Sequence, residues 1–567
     1  MILRMPEMIN PTSKQKEVQD HDDLSLLIIA PAGCGKTETL ALRAKSLLSR
    51  QIIKAPQHIL MTTFSNRARD NMKDRLRRHL SPQEMRLVTV ANFHGLSARI
   101  IQAHGHVIGL DPVALKMPRS DWVKEQCHKL GLYQQDINEV MTTLSSIKRQ
   151  ALSDEEVMAQ LRGFALSIEK SRVKEGQLTY DDLPRLAELI LANDQVAELY
   201  QCHFGAVIVD EFQDLTPQQL WIIQRIGYKK TTYAGDLAQG IYGFAGAEPD
   251  YIQKKLQDEC ESRIIKFTES FRSSPAVLEA VNSLNSLTGG QPLVAANPDS
   301  WPSGGFAAHR HFSDIQEETQ YVVRFCQYIG KQLPQQRIGI AARTNFRRHF
   351  IDEAIENSEL PHYRWDGAIL EGSVARKIRS MLEKLSVDDF KNADDQHDFL
   401  RQAVMLDSEH DPDERRELSN AIDWCLALLE EGDSPTNIHN RIRGDETESL
   451  ATRPGIHLLT GHAGKGQQFD WMVIVGLEEG CLPIFHAINE ESKAKMDEEA
   501  RIFAVMLSRA RHGVLVTSSA TVPDDHGRLR PKETSRFLNS LSSTVMSDRK
   551  EIHNWLKFAD WQAITTK

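Results

Sequence analysis

The feature of this sequence that restricts its fold most strongly is a glycine-rich loop. It lies between an apolar run and a helical pattern. The apolar segment Leu24–Ala30 leads into Ala-Pro-Ala-Gly-Cys-Gly-Lys-Thr, which ends at Thr37, and a helical pattern continues towards Ser49. The two glycines let backbone N–H groups turn inward around a phosphate, and the helix N-terminus adds a favourable dipole. This order predicts a phosphate-binding loop in an α/β layer, although Ala30 replaces the first glycine of the usual pattern.

Short apolar runs that end in small or acidic residues recur along the chain, each before a turn signal or a helical pattern. They predict buried parallel strands alternating with helices. One set of runs lies before about Phe267 and another after about Phe306, so two α/β cores are expected. The runs are Leu24–Ala30, His58–Thr63, Ala206–Asp210, Thr231–Asp236, Arg337–Arg343, Ile456–Thr460, Met472–Gly476 and Val514–Thr517.

Two long segments without strand signals are polar and helical in pattern. They are Ile100–Tyr200 and Ser373–Thr452, and each is expected to be a helical insertion in one core. Near the end of the chain, Trp555, Phe558 and Trp561 have the spacing of an apolar helix stripe. We expect this stripe to dock on the body of the protein, or alternatively on a partner.

Composition excludes several classes of protein. No run approaches the ~20 apolar residues of a membrane span, and the N-terminus lacks a secretory pattern. The seven cysteines are scattered without a CxxC pair, which fits reduced thiols in a cytoplasmic protein and predicts no zinc or iron–sulfur site. The net charge of −10 disfavours a nonspecific DNA coat but leaves room for a local basic groove.

An acidic strand end predicts the second half of a nucleotide site. Asp210 and Glu211 directly follow the apolar run that begins at Ala206. In such a site Lys36 would reach the β- and γ-phosphates, while Thr37 and Asp210 would hold Mg²⁺. Glu211 would polarise the attacking water. ATP and Mg²⁺ are therefore the expected cofactors.

The residues after this acidic pair resemble a known family. The segment Asp-Glu-Phe-Gln-Asp from Asp210 resembles the DEFQD box of the UvrD/Rep/PcrA-like helicases of superfamily 1, and Ala234–Ala247 resembles their GDxxQSIYGWRGA motif. Further matches follow in family order, from an upstream glutamine to a late Ser-Arg-Phe. They are Gln15, Thr63–Ala68, Asn92–Gly95, Ser270–Ser273, Ala342–Asn345, Thr460–Phe469, Val505–Ala510 and Ser535–Phe537.

The resemblance implies an α/β fold of two RecA-like P-loop domains with parallel sheets, each carrying a mainly helical insertion. The first core would comprise residues 1–97 and 199–273, with its insertion at 98–198. The second core would comprise 274–372 and 453–546, with a short insertion at 373–452 and a C-terminal tail at 547–567.

The resemblance also implies roles around the nucleotide. Gln15 would read adenine, and Gln239 would sense the γ-phosphate. Arg272 and Arg509 would be arginine fingers reaching across the cleft, although either alone would suit ordinary surface charge. Phe271 would stack on adenine or else fill the core. Other expected nucleotide contacts are Ala32, Gly33, Cys34, Gly35, Lys36, Thr37, Gly466 and Gln468.

A track for single-stranded DNA is expected from donors that bind phosphates and aromatic rings that stack on bases. Its residues, by resemblance, are Thr63, Phe64, Asn66, Phe93, His94, Tyr242, Phe244, Arg343, Asn345 and His462. The six cations between Arg67 and Arg78 would follow backbone phosphates, or else form a solvated helix face paired with Asp70 and Asp74.

The chain departs from the family pattern at several positions. Gln468 replaces a glutamate expected near the nucleotide sugar, and Ala245 replaces an arginine that would contact DNA. Cys34 occupies a position that is often serine or threonine. At a helix N-terminus its thiol pKa is expected to fall, so that alkylation would block ATP binding, unless it is merely a tolerated small residue.

The expected function is an ATP-dependent 3′→5′ single-stranded DNA translocase or helicase, acting at single-strand/duplex junctions in repair, recombination or replication restart. The short second insertion and the aromatic tail leave an alternative open. This is an ATP-gated DNA-binding regulatory subunit that works with a protein partner such as a nuclease, for example in phage defence. No membrane partner is expected.

Overall fold

The fold is described by a computed structural model, with no helix among the described residues long and apolar enough to cross a bilayer. The structure describes residues 11–118, 122–243, 246–261, 263–358, 360–365, 372–393, 395–409, 412–430, 434–435, 438–439, 453–463, 465–490, 492–524 and 528–566.

The first sheet has six parallel strands in the order β3-β2-β4-β5-β1-β6. Four central strands are buried along nearly their whole length, as expected for a parallel sheet covered on both faces. The strands are β1 (Leu26–Ile29), β2 (His58–Thr63), β3 (Val88–Asn92), β4 (Phe204–Asp210), β5 (Thr231–Gly235) and β6 (Ile264–Lys266).

The second sheet also has six parallel strands, in the order β11-β12-β10-β13-β14-β9. Along the chain, a small parallel pair, β7 (Glu269–Ser270) with β8 (Val294–Ala295), comes between the strands of the two sheets. A short antiparallel pair, β15 (Thr521–Pro523) with β16 (Leu529–Pro531), lies near the end of the chain. The second sheet comprises β9 (Phe306–Phe312), β10 (Arg337–Ala342), β11 (His362–Arg364), β12 (Gly455–Thr460), β13 (Phe469–Val475) and β14 (Ala510–Ser519).

Helices cover both sheets and build the two insertions. In the first half they are Ser13–Asp20, Lys36–Ser49, Asn66–His79, Pro82–Met85, Phe93–His104, Trp122–Lys129, Gln134–Lys148, Asp154–Gln160, Gly163–Glu175, Asp182–Leu191, Asp194–His203, Pro217–Gly227 and Pro249–Cys260. In the second half they are Pro275–Asn282, Asn285–Thr288, Ile315–Gln332, Asn345–Glu356, Gly372–Lys384, Val387–Asn392, Gln396–Ala403, Pro412–Glu430, Phe485–Asn489, Lys493–Leu507, Leu538–Leu541, Arg549–Phe558 and Trp561–Thr566.

All eight predicted apolar runs coincide with strands, so the prediction of two parallel α/β cores is confirmed. The strands outside those runs are mostly short or partly exposed. For example, β11 is half-buried along its three residues and carries no apolar run. Its place at the edge of the sheet explains why the sequence pattern missed it.

The first insertion contains a buried network of opposite charges. Lys148 Nζ lies 2.9 Å from Glu169 Oε2 and 3.0 Å from Asp182 Oδ2, and Arg172 lies 2.5 Å from Asp154. The three carboxylates are close enough to hold a metal ion, but lysine and arginine side chains neutralise them. We therefore assign the cluster to holding the insertion together.

The C-terminal tail packs on the second core. Trp555 lies edge-on to Phe306, with ring centroids 5.0 Å apart, and Trp561 lies 6.0 Å from Trp471. Phe558 is instead 73% exposed. The predicted docking on the protein's own body is confirmed for the two tryptophans and is wrong for Phe558, whose ring is exposed at the last residue of its helix.

Candidate active site

The glycine-rich loop follows β1 and closes tightly on its neighbours. Gly33 and Gly35 have φ of +84° and +75°, a region that residues with a side chain rarely adopt. A Cβ at Gly33 would lie 2.6 Å from Arg272 Cβ, and one at Gly35 would lie 2.6 Å from the side-chain nitrogen of Gln15. Gln15 also donates to the Cys34 carbonyl at 3.1 Å. Glycine is therefore required by both conformation and space.

Lys36 begins the next helix and faces the acidic end of β4. Its ammonium forms a close ion pair with Glu211 and lies 3.6 Å from Asp210 Oδ1. The Thr37 hydroxyl donates to Asp210 Oδ2 at 3.4 Å. One hydroxyl and one carboxylate thus lie close enough to share a hard cation, for which oxygen ligands are preferred.

Glu211 has an unusual backbone conformation and an ionised side chain. Its backbone is left-handed, with φ of +59°, and its carboxylate accepts from Gln213 Nε2 at 2.6 Å. Burial opposes its ionisation, but Lys36 and Lys465 outweigh burial and hold the pKa of Glu211 at about 2. The carboxylate is therefore charged at neutral pH and suited to accept a proton or orient water.

Two neighbouring buried carboxylates, Asp210 and Asp236, have raised pKa values, in contrast to Glu211. Burial raises the pKa of Asp210 to about 6, with Lys36 offsetting part of the effect. Burial also raises the pKa of Asp236, which accepts from Gln239 Nε2 at 3.0 Å. Gln239 is thus oriented by a neighbouring acid at the end of β5.

Lys465, from the loop between β12 and β13, links the two cores. Its ammonium lies 2.7 Å from both carboxylate oxygens of Asp214 and donates to the Gln239 carbonyl at 2.8 Å. Burial raises the pKa of Asp214 to about 6, and Lys465 opposes that rise. Both residues belong to recognised motifs, yet neither was among the predicted site residues, because nothing in sequence shows that they meet.

Arg272 and Arg509 leave buried donors free for an anion. Arg272 Nη1 donates to the Ser508 carbonyl and Arg509 Nη1 to the Gln467 carbonyl, both at 3.3 Å. Among the described residues, Nε of each arginine and Nη2 of Arg509 are buried without a hydrogen-bond partner. Burial, reinforced by repulsion between the two, lowers the pKa of Arg509 to about 9. Burial lowers that of Arg272 to about 10. Buried polar groups need partners, so the pair fits a bound polyanion.

Of the remaining predicted nucleotide residues, Phe271 and Ala32 have contacts at the glycine-rich loop, whereas Gly466 and Gln468 are exposed. Phe271 is 39% exposed and its backbone N–H donates to Gly33 at 3.0 Å, so its ring is not a core side chain. The Ala32 carbonyl lies 3.5 Å from the Ser270 hydroxyl on the same side of the loop. Gly466, with φ of +86°, and Gln468 are exposed, and their contact with the nucleotide stays a prediction.

Cys34 contradicts its predicted reactivity. Its side chain is buried, and burial together with Asp236 raises its pKa to about 12. The helix N-terminus was expected to lower that pKa, but desolvation of the thiolate is the larger effect, although Arg272 and Lys36 oppose it. Cys34 therefore acts as a small packing residue in this loop.

Two predicted DNA contacts form a single aromatic stack. The rings of Phe64, after β2, and Tyr242, after β5, lie 4.8 Å apart and 14° from parallel. Phe64 is 38% exposed, and Lys465 Nζ lies 4.4 Å from the centre of the Tyr242 ring. The aromatic pair thus adjoins the lysine that reaches Asp214.

The other predicted DNA residues lie in different environments. Arg343 is paired with Glu499, and burial lowers the pKa of His462 to about 4. The His94 ring is edge-on to Tyr180, and Asn345 is exposed. The side chain of Asn66 and the whole of Phe244 and Ala245 lie outside the described residues.

Two of these assignments need correction. Phe93 is 5% exposed and belongs to the hydrophobic cluster of the first core, so its ring is unavailable to a base. Thr63 is 1% exposed and its hydroxyl donates to the Ser65 carbonyl at 3.3 Å. Both lie at strand ends, as predicted, but their side chains are buried.

The cationic run after β2 is largely neutralised by its neighbours. Arg69 pairs with Asp70 at 3.0 Å and Arg77 pairs with Asp74 at 2.6 Å. Arg75 reaches Glu38 on the neighbouring helix at 2.8 Å. These contacts favour the solvated, paired helix face over a phosphate track.

Comparison with known proteins matches both halves of the chain. Residues 11–259 match the family model described as the UvrD/REP helicase N-terminal domain, and residues 376–521 match the UvrD-like helicase C-terminal domain. The ATP-dependent DNA helicase PcrA of Staphylococcus epidermidis is 24% identical over 650 positions, which cover 95% of this chain and 87% of the relative. The protein of the same name from Staphylococcus aureus strain Mu50 is 23% identical, with 94% and 87% covered.

Proposed function

The chain belongs to the UvrD/Rep family of DNA helicases, and we propose that it couples ATP hydrolysis to 3′→5′ movement along single-stranded DNA. One observation carries the proposal. Lys36 and Glu211 of the first core lie in the same buried pocket as Arg272 and Arg509, whose free donors suit a polyanion.

The residues present fit ATP and Mg²⁺. Lys36 and the backbone N–H groups around Gly33 would hold phosphates, and Thr37 with Asp210 would hold Mg²⁺. The bound metal–nucleotide supplies a phosphoryl group whose transfer needs charge neutralisation and an oriented water. Phosphates would draw Lys36 away from Glu211 and leave that carboxylate to accept the proton of the water at Oε2.

The two arginines would stabilise charge that develops during phosphoryl transfer. Their unpartnered donors are buried, where a hydrogen bond to an anion is strong. Arg509 precedes β14 of the second core, while Glu211 follows β4 of the first. Hydrolysis would therefore require both cores to close on the nucleotide, and its completion would let them separate.

The aromatic pair Phe64 and Tyr242 supports a single-strand site. Stacking on a base suits strands of any sequence, because every base has a flat π-face. Insertion of a base would part the two rings and disturb the contact between Tyr242 and Lys465. Since Lys465 also holds Asp214, binding of a base would change the contacts of that carboxylate at the nucleotide pocket.

Family membership also supports proposals for the direction of movement and for the cellular process. The protein would load at a single-strand/duplex junction and move 3′→5′, in repair, recombination or replication restart. The 650 aligned positions exceed the 567 residues of the chain, so the relatives have segments with no counterpart here. That difference favours a second candidate function, an ATP-gated DNA-binding subunit that needs a partner such as a nuclease.

Strand displacement distinguishes these two functions. The isolated protein is mixed with ATP, Mg²⁺ and duplexes carrying either a 3′ or a 5′ single-stranded tail, with Glu211→Gln as the control. Displacement of the 3′-tailed duplex alone supports the 3′→5′ motor. Displacement only after a co-purifying partner is added supports the subunit, and preference for the 5′ tail contradicts the proposed polarity.

A further inference from the structure

The helix Lys493–Leu507 connects the predicted strand site to the nucleotide pocket. Its middle carries Glu498 and Glu499, and it ends immediately before Ser508 and Arg509. Ten residues of helix span about 15 Å, so a shift at the two glutamates is carried as a rigid element to the arginine. Neither glutamate has a part in the chemistry described above.

Glu499 is engaged by a predicted DNA contact. It is 3% exposed, and its Oε1 lies 2.9 Å from Arg343 Nε and 2.7 Å from Arg343 Nη2. Its other oxygen accepts the backbone N–H of Ile484 at 3.2 Å. A planar arginine fork gripping one carboxylate is the geometry with which arginine also binds a phosphate.

Glu498 contacts the first core, at the loop that follows β5 and carries Tyr242. Its Oε1 accepts the backbone N–H of Gly243 at 3.1 Å, next to Tyr242. A Cβ at Gly243 would lie 3.0 Å from both oxygens of Glu498, so the loop approaches this carboxylate closely. The two adjacent glutamates thus accept hydrogen bonds from both cores, from Arg343 and Ile484 of the second and from Gly243 of the first.

These contacts border an open cavity between the cores. The cavity has a volume of about 790 Å³, and Gly243, Arg343, His462, Glu498 and Glu499 are among its lining residues. On its wall, Arg501 holds both carboxylate oxygens of Asp250, at 2.8 and 2.9 Å. Space for a strand therefore adjoins the donors that the glutamates occupy.

We propose that Glu498 and Glu499 are positioning residues that take the place of strand phosphates while the protein is free of DNA. An arriving phosphate competes for Arg343 and the Gly243 N–H, and it repels both carboxylates. The glutamates then release, and the helix that leads into Arg509 moves with them. The inference rests on the proposed function, because it takes Arg343 as a strand contact.

If the glutamate contacts couple DNA binding to ATP hydrolysis in this way, the direction of the effect of weakening them is fixed. A contact made only in the strand-free state lowers DNA affinity and suppresses the state that DNA favours. Weakening that contact should therefore tighten DNA binding and raise ATP hydrolysis without DNA. A merely structural role for Glu499, in which it orients Arg343 for DNA, gives the opposite sign.

The test uses the full chain with Glu499→Gln, a change that keeps the shape of the side chain and removes its charge. Asp497→Asn is the matched control, since Asp497 lies on the same helix and the cations that act on its carboxylate are Arg501 and Lys493. Binding of a fluorescent oligothymidylate and ATPase with and without that oligonucleotide are measured. Thermal unfolding of each variant checks folding.

Glu499→Gln is expected to tighten oligonucleotide binding about three- to tenfold and to raise the DNA-free ATPase rate, so that stimulation by DNA falls. Asp497→Asn should leave both quantities near wild type. Weaker binding, or no change in either quantity, overturns the inference. In an Arg343→Ala background the effect of Glu499→Gln on binding should vanish, and its persistence also overturns the inference.

The outcome separates this inference from the proposed function. If wild-type ATPase does not respond to the oligonucleotide, the proposed function fails. If wild type responds and Glu499→Gln behaves like wild type, the proposed function stands and the role of the glutamates is rejected.

Discussion

At the scale of single residues, the candidate active site consists mainly of buried charges that neutralise one another incompletely. Lys36 is paired with two carboxylates, whereas Arg272 and Arg509 are buried with donors that no described residue satisfies. Such donors are costly to bury without a partner. A bound triphosphate would remove that cost, which makes both arginines sensitive points of the site.

Replacing Arg509 with alanine should lower kcat for ATP hydrolysis by about 10³-fold or more, because an arginine finger stabilises charge in the transition state. Steady-state ATPase assays would show this, with a smaller change in KM. Arg536→Ala is the matched control, since Arg536 is about half exposed and pairs with Glu479. A normal kcat in Arg509→Ala would exclude the arginine from catalysis.

The ATPase activity should fall as the pH drops through about 6. Burial raises the pKa of Asp210 to about 6, so the carboxyl is protonated below that pH and cannot hold Mg²⁺. Higher Mg²⁺ concentration should move this acidic limb to lower pH, because metal and proton compete. Rates measured from pH 5 to 8 at two Mg²⁺ concentrations test this, and a limb indifferent to Mg²⁺ would disprove the assignment.

The same raised pKa affects folding stability. The carboxyl is more acidic in the unfolded chain than in the folded protein. Its contribution to stability is therefore fully present below the unfolded pKa and is lost as pH rises through about 6. As the pH rises through about 6, ionisation of Asp210 should therefore lower the stability of the fold while it restores ATPase activity.

Thiol labelling of the native protein should reach Cys202 well before Cys34. Cys202 is exposed, whereas Cys34 is buried and its pKa is raised to about 12. Only the thiolate reacts readily, so both effects protect Cys34. Mass spectrometry after a short maleimide pulse would locate the label. Early modification of Cys34 would mean that the loop opens more than the structure shows.

Among single residues, the sequence predicts local backbone conformation better than contacts between distant segments. The tight glycine-rich loop was predicted from a local pattern, and Gly33 and Gly35 have the positive φ angles that such a loop needs. The contact of Lys465 with Asp214 was not foreseen, since it joins segments 251 residues apart. Phe93 was assigned to DNA because its position in a motif is visible in sequence, while the direction of its side chain is not.

At the scale of elements, parallel strands place the functional loops at one edge of each sheet. The loops after β1, β4 and β5 meet around the nucleotide pocket, and the loop after β12 joins them from the other core. Buried apolar runs made these strands predictable. Edge strands such as β11 escaped prediction because half-buried residues do not form an apolar run.

The C-terminal helices should contribute to stability mainly through their tryptophans. Trp561→Ala should lower the free energy of unfolding of the second core by about 2–4 kcal/mol, because its ring packs against Trp471 and Tyr328. Phe558→Ala is the control, with a change within about 0.5 kcal/mol, since Phe558 is largely exposed. Denaturant unfolding measures both, and equal losses would contradict the docking described here.

At the scale of the whole molecule, two parallel sheets share one pocket. Arg272 donates to the carbonyl of Ser508, and Lys465 holds Asp214, so the arginine and the lysine both make contacts between the cores. A change in the pocket must therefore change how the cores meet. The order of motifs predicted two such cores, but their mutual contacts depend on packing that no local pattern encodes.

The most direct test of this account is the ATPase rate of the purified chain as a function of added single-stranded DNA. We expect a saturable rise of at least about tenfold, which Glu211→Gln should abolish while nucleotide binding persists. A rate that stays flat as DNA is added, or a Glu211→Gln variant that hydrolyses ATP normally, would contradict a motor driven from the pocket between the two cores.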